Sequence, residues 1–268
     1  MTDDAALDEL RFLTRALRAH VEWQAATGAT GLERAGRDLA AAPAATGVSA
    51  VAATRASSVP VAALPVVVPT ASAPSTTASH EPRLQALAEL VQTCTRCGLC
   101  KQRQQTVFAR GNGSSGVCFV GEGPGADEDA QGLPFVGKAG QLLDRMIEAM
   151  GLDREEVYVC NVVKCRPPEN RKPEPDEMAA CLPYLNEQLE LIAPRVIVAL
   201  GATAVQGLLG TSEGIMRLRG KWKSYRGTDV MPTFHPAYLL RTPAAKREVW
   251  DDLQEVLRRL GRSVPARR

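Results

Sequence analysis

Seven cysteines carry the first chemical signal in this chain. Cys94-Thr-Arg-Cys97 is a CxxC pair with a third thiol at Cys100, and Cys165 and Cys181 follow downstream, sixteen apart. Thiolates are soft ligands that select zinc or an iron–sulfur centre, and a CxxC also serves as a redox pair. A thioredoxin-like pair belongs between a strand and a helix, whereas this one follows a helical pattern and precedes the first long strand pattern. That disfavours redox exchange and leaves zinc and iron–sulfur open. Cys118 and Cys160 fall inside apolar runs and read as small core residues. Cys100 reads either as a competing ligand or as a loop residue.

A second signal is Val120-Gly-Glu-Gly-Pro-Gly125, directly after an apolar run. Glycines let the backbone approach a ligand closely, and the amides beyond them can face an anion or a carbonyl oxygen. The dinucleotide pattern GxGxxG is not met: Gly121 and Gly123 fit, but Ala126 and then Asp127 stand where the third glycine belongs. No GK[ST] of a phosphate loop occurs here, and Asp127-Glu128-Asp129 would repel a pyrophosphate. A nucleotide cofactor is therefore not expected.

The elements that must position these residues read as alternating strands and helices. Strand patterns lie at Val117–Gly121, Val157–Val163, Val196–Leu200 and Val230–Phe234. Helical patterns lie at Ala139–Met150, Pro175–Ile192, Thr203–Leu209 and Ala245–Leu260, and an earlier helix starts near Pro82 with Leu84, Leu87, Leu90 and Val91 on one face. This alternation predicts an α/β fold: a three-layer sandwich with a short central parallel sheet flanked by helices. Ligands in such sheets bind at the carboxyl ends of strands, which is where the segments after Val120, Cys160 and Phe234 fall.

Composition sets the boundaries. The chain has 268 residues, 45% of them hydrophobic, yet no aromatic residue stands between Trp23 and Phe108. From Leu39 to His80 the only charged residue is Arg55, amid Ala, Ser, Thr, Pro and Val. That stretch cannot offset its ordering entropy and reads as a flexible linker, the core of a disordered N-terminal extension. We expect an amphipathic helix region at 1–38, with Leu7, Leu10, Leu13, Leu17 and Val21 in register, the linker at 39–80, and a globular domain at 81–262. The N-terminal helix either packs locally or contacts another protein. The longest apolar run, Val61–Pro69, is too short for a membrane span, and the first residues lack the basic and apolar regions of a secretory signal. A net charge of +2 excludes a histone-like polycation, and the odd cysteine count argues against a disulfide framework. A soluble, cytoplasmic protein is expected.

Four ordered motifs give the chain a family resemblance. Gly121-Glu-Gly-Pro-Gly-Ala-Asp-Glu-Asp-Ala-Gln-Gly-Leu-Pro-Phe-Val-Gly-Lys-Ala-Gly140 resembles the first motif of family 4 uracil-DNA glycosylases, the iron–sulfur enzymes of bacteria and archaea. Asn161-Val-Val-Lys-Cys-Arg166, Arg219-Gly-Lys-Trp222 and Phe234-His-Pro-Ala-Tyr-Leu-Leu-Arg241 match further motifs in order, so the resemblance spans roughly Val91 to Leu260. It implies a prokaryotic, nucleoid-associated enzyme, acting as a monomer, that excises uracil from single- or double-stranded DNA and starts base excision repair. It also implies a [4Fe-4S] cluster on Cys94, Cys97, Cys165 and Cys181. Uracil would be held by the backbone around Gly121, Glu122 and Gly123, by stacking on Phe135 and by the Asn161 side chain, with His235 from the last motif. The related family 1 enzymes carry an aspartate where Gly123 stands, so water activation needs another group or none.

The residue types agree with that chemistry. An enzyme acting on a base must first flip it out of the stack. The amide of Asn161 can pair with both a donor and an acceptor on uracil's edge, and Phe135 offers a stacking face worth about 1–3 kcal/mol. Breaking the N-glycosidic bond puts negative charge on the departing uracil, so a donor such as His235 stabilises the transition state by roughly 3–4 kcal/mol. Glu122 is a candidate to orient water or to stabilise the sugar cation. Glu128 is a second candidate, or else a capping residue. Beyond His235, Tyr238, Leu239 and Arg241 are expected to meet DNA, with an apolar wedge filling the gap left by the flipped base. Residues 211–226 carry five cations, Arg219 and Lys221 among them, against Glu213 alone.

Two other readings compete. A relative that traps the abasic sugar covalently on its histidine would carry a basic, histidine-containing insert after the first motif, and Phe135–Gly140 runs straight into a helix without one. A non-catalytic iron–sulfur module that only binds DNA has no need of Glu122, Phe135, Asn161 and His235 together.

Overall fold

A computed structural model describes residues 77–265. The expected N-terminal helix and nearly all of the linker lie outside the described residues. In chain order come α1 (Thr77–Gln92), β1 (Ala109–Arg110), β2 (Val117–Gly121), α2 (Ala126–Gln131), α3 (Lys138–Ala149), β3 (Tyr158–Asn161) and α4 (Pro175–Ile192). Then follow β4 (Val196–Leu200), α5 (Gly201–Leu209), α6 (Ile215–Leu218), β5 (Lys223–Tyr225), β6 (Thr228–Thr233), α7 (Pro236–Arg241) and α8 (Lys246–Arg259).

The strands form one six-stranded sheet in the order β1-β3-β2-β4-β6-β5. The four central strands are parallel, as the alternating pattern predicts. The two edges are antiparallel, which makes the sheet mixed. Both edges are short and carry no apolar run, so hydrophobic patterning gave no sign of them. β5 turns into β6 through Arg226 and Gly227, both at positive φ (48° and 84°), the backbone of a tight two-residue hairpin.

Side chains alternate across each strand, so every central strand feeds two cores. Val117 and Phe119 join Val198 and Met231 against Leu143 and Ile147 of α3 and Leu253 and Leu257 of α8. Cys118 and Val120 face the other way with Ile197 and Ala199, against Leu185 of α4 and Val205 and Leu208 of α5. Burial on both sides is why these strands read as unbroken apolar runs. Cys118 and Cys160 are fully buried in them, as expected.

A third, smaller core forms where Leu87 and Val91 of α1 meet Tyr184 and Leu191 of α4. The start near Pro82 needs correction: α1 begins at Thr77 and holds Pro82 inside it, while Leu90, expected on the packed face, is 61% exposed. Burying Leu87 and Val91, four apart, turns Leu90 outward.

Candidate active site

The parallel strands β3, β2, β4 and β6 end at one edge of the sheet, and the ends of β3, β2 and β6 carry the chemistry. Gly121 closes β2 in register with Asn161 at the end of β3. A methyl group at Gly121 would lie 2.4 Å from Asn161 Oδ1 and 2.5 Å from Phe135 Cζ, so only glycine lets those side chains converge there. A side chain at Gly123 would meet Val163 Cγ2 at 2.7 Å. That contact crowds any side chain at this position.

Phe135 is held by an uncommon backbone. It sits at φ 56°, a left-handed conformation that costs a bulky residue on the order of 1–3 kcal/mol. Three features fix it there. Glu128 accepts hydrogen bonds from Val136 N and Gly137 N (both 2.9 Å) and from Gly125 N (3.1 Å). Arg110, ion-paired with Asp144, donates from Nε to Pro134 O at 3.2 Å. Gly140 lets α3 start against Phe135 itself, since a Cβ would come within 1.8 Å of the Phe135 carbonyl oxygen. Of the two roles open to Glu128, the geometry assigns the capping one. Asp129 is likewise turned inward, accepting from Gln104 N at 2.9 Å.

His235 follows β6 as the N-cap of α7, and its ring centroid lies 5.6 Å from that of Phe135. Its Nδ1 accepts from Ala237 N at 3.2 Å, so the remaining proton of the neutral ring sits on Nε2 as a donor. Burial, and then the charge of Arg241, lowers its pKa to about 4. At neutral pH the ring is an uncharged donor, suited to a developing oxyanion. Asn161 is 2% exposed, and its Oδ1 has no hydrogen-bond partner among the described residues. A buried acceptor without a partner costs about 1–3 kcal/mol, so this site is built for a ligand that donates to it. Glu122 is half-buried and its side chain makes no hydrogen bond or ion pair among the described residues.

The residues expected to meet DNA divide. Lys221 and Arg241 are exposed and Tyr238 is half-buried beside Phe234. Leu239 is 1% exposed and belongs to the core, which corrects its expected place at the DNA; the exposed neighbour is Leu240, at 43%. Arg219 is also turned away from solvent: it donates to Asp252 Oδ1 and Glu248 O, both at 2.7 Å, with its guanidinium 5.4 Å from the Phe234 ring centroid. Asp252 also accepts from Thr233 at 2.6 Å, so this network holds the strand end ahead of His235.

Cys94, Cys97, Cys165 and Cys181 line one pocket, together with Cys100 and Tyr184, that is partly open to solvent. Three separate segments bring them together: the loop after α1, the loop after β3, and α4. Among the described residues, no three metal-ligating side chains close to single-ion distance. Burial raises the Cys97 and Cys165 thiols above their usual range and pushes Cys181 to about 11. Two cations reach the same cavity. Arg103 donates to Cys165 Sγ at 3.1 Å and to Cys94 O at 2.7 Å. Lys164, only 1% exposed, donates from its backbone to Cys181 Sγ at 3.3 Å and from Nζ to Asn161 O at 2.6 Å. Sequence reasoning missed both. A lysine inside the apolar run Val162-Val163-Lys164-Cys165 was a legible oddity, whereas Arg103 gave no signal.

The chain belongs to the uracil DNA glycosylase superfamily, whose family model matches residues 108–254. Within it the chain belongs to the type-4 uracil-DNA glycosylases. It is 46% identical over 183 residues to the type-4 uracil-DNA glycosylase of Thermotoga maritima, covering 66% of this chain and 94% of that one. The type-4 enzyme of Saccharolobus solfataricus is 43% identical over 183 residues, 65% of this chain and 84% of its own. A type-5 uracil-DNA glycosylase of Pyrobaculum aerophilum is 36% identical over 112 residues, 41% of this chain and 48% of its own.

Proposed function

We propose that this protein flips uracil out of DNA and hydrolyses its N-glycosidic bond, leaving an abasic site for base excision repair. The convergence of Phe135 and Asn161 on the backbone at Gly121, with the His235 ring 5.6 Å from that of Phe135, carries this reading. Phe135 offers a stacking face, Asn161 Oδ1 awaits a donor such as uracil N3–H, and His235 Nε2–H points to the charge that builds on a departing base. Glu122, half-buried and without a side-chain partner among the described residues, would orient water or steady the sugar cation. Lys221, Tyr238 and Arg241 would meet the DNA backbone, with Leu240 as the wedge. The direct test is a uracil-bearing oligonucleotide incubated with the protein, treated with alkali and resolved by length. Cleavage at uracil alone supports the reading, and an intact strand defeats it.

The cysteine cavity fits a [4Fe-4S] cluster held by Cys94, Cys97, Cys165 and Cys181. One zinc would need its four sulfurs within about 3.8 Å of one another, given Zn–S bonds near 2.3 Å, and among the described residues no three ligating side chains gather to single-ion distance. Four thiolates on a cluster leave net negative charge, and Arg103 and Lys164 supply two cations to offset it. Bound there, the group would act as a cross-link between three chain segments. The purified protein is expected to be brown, with broad absorption at the blue edge of the visible and iron in the assay. A colourless protein holding one zinc per chain after anaerobic purification would sink the cluster.

Every residue named in this chemistry lies within the folded domain. Deleting residues 1–76 should therefore leave excision from short oligonucleotides within about threefold of the full chain, an effect below one hydrogen bond's worth. A folded but inactive truncation would place part of the site or of the DNA contact in that segment.

A further inference from the structure

Lys164 joins the two halves of the domain's chemistry. It stands three residues after Asn161 and one before Cys165. Its backbone is fixed on both sides: its N–H donates to Cys181 Sγ at 3.3 Å, and its carbonyl oxygen accepts from Val107 N at 2.8 Å. From that anchor the side chain folds back so that Nζ donates to Asn161 O at 2.6 Å. It pairs with no carboxylate among the described residues, and it is one of the largest fully buried side chains there. A buried ammonium needs a compelling local partner, because leaving one unpaired is costly.

Asn161 needs holding. Among the described residues its Oδ1 has no partner, so no hydrogen bond there orients the amide. Its direction is set instead by where the backbone of residue 161 stands and by the close approach of Gly121. Beyond the strand, Val162 N and Val163 N bond to Gly121 O (2.9 Å) and Glu122 O (3.1 Å), which leaves the Asn161 carbonyl to Lys164.

We infer that Lys164 is a positioning residue that ties the base-reading Asn161 to the cysteine cavity, so that what fills the cavity sets how firmly uracil is read. The inference rests on the uracil-excising activity proposed above. A shift of Cys165 or Cys181 moves the Lys164 backbone directly, and the Nζ–carbonyl bond passes that shift to Asn161. Displacements of about 1 Å at a reacting group cost on the order of a hundredfold in rate.

The test is a double-mutant cycle. Lys164→Met removes the donor and keeps the apolar stem, Lys164→Gln keeps a neutral donor, and each is made with Asn161 intact and with Asn161→Ala. Single-turnover excision, oligonucleotide binding and iron content are measured for all of them. With Asn161 intact, K164M is expected to slow excision about tenfold to a hundredfold while DNA binding stays within about threefold. K164Q should recover most of that loss. In the Asn161→Ala background the K164M effect should shrink to about twofold, the signature of two residues acting as one. An equal loss in both backgrounds, or none in either, overturns the inference while the activity stands. A wild-type protein that leaves uracil in place overturns both. Iron-free, active wild-type protein overturns the role given to the cavity. Should K164M fail to fold, K164Q carries the test: an excision rate as low as that of Asn161→Ala, with iron retained, refutes positioning by a donor.

Discussion

Replacing His235 with alanine is expected to slow uracil release by about two to three orders of magnitude, the usual loss on removing one transition-state donor. The site geometry explains both the size and the kind of effect. Nδ1 is occupied by the Ala237 N–H, so Nε2 carries the one ring proton, and α7 holds the ring at the strand end beside Phe135. Binding of uracil-bearing DNA should weaken far less, since the donor matters most when charge develops. The pH behaviour follows from the pKa of about 4. The ring stays neutral down to about pH 5, so His235 contributes no inflection to the excision rate between about pH 5 and 8. Stability behaves differently. The folded value lies below the ordinary histidine value near 6.5, so the unfolded chain takes up the proton first. This residue's contribution is present above about pH 6.5 and is lost as pH falls from there through 4. A rate that follows protonation near pH 6.5, or normal turnover of bound DNA by H235A, would refute the neutral-donor role.

Much of this site was legible in the sequence because its parts sit at strand ends. Gly121, Asn161 and His235 each follow an apolar run, and a parallel sheet brings such ends to one edge whatever the loops do. The grouping of the cysteines was legible for another reason: the spacing of soft side chains is a local signal, and one pocket gathers Cys94, Cys97, Cys165 and Cys181. What was not legible depends on the third dimension. Leu239 and Leu240 are neighbours of one type, and only the rotation of α7 against α3 decides which is buried. Arg219 lies in a basic run that reads as a DNA-facing surface, yet Asp252, 33 residues later, turns it inward. Glu128 is one of three consecutive acids, and its role emerges only when the loop carrying Phe135 folds over it. The antiparallel edges escaped notice because β1 is two residues long and β5 is half-exposed, with no apolar face to betray them.

Asn161→Asp should change which base is accepted. Uracil presents O4 as an acceptor and N3–H as a donor, whereas cytosine presents an amino group and a bare N3, with donor and acceptor exchanged. The amide of Asn161 can donate to O4 through Nδ2 and accept from N3–H through Oδ1. That Oδ1 is buried without a partner, so the protein leaves open the position that N3–H would fill. A carboxylate accepts at both oxygens. It would face O4 with no donor between them, leaving a buried polar contact unmade at about 1–3 kcal/mol, or roughly five- to a hundredfold in rate. Against cytosine the same carboxylate gains an acceptor for the amine. The expected result is a uracil rate down by at least about fivefold and a uracil-to-cytosine ratio shifted toward cytosine by more than that. Matched oligonucleotides bearing U or C, compared under single-turnover conditions, measure it. An unchanged ratio would move the discrimination from Asn161 to the backbone at Gly121–Gly123. There a side chain at position 123 would meet Val163, so that edge could be altered only by shifting the main chain itself.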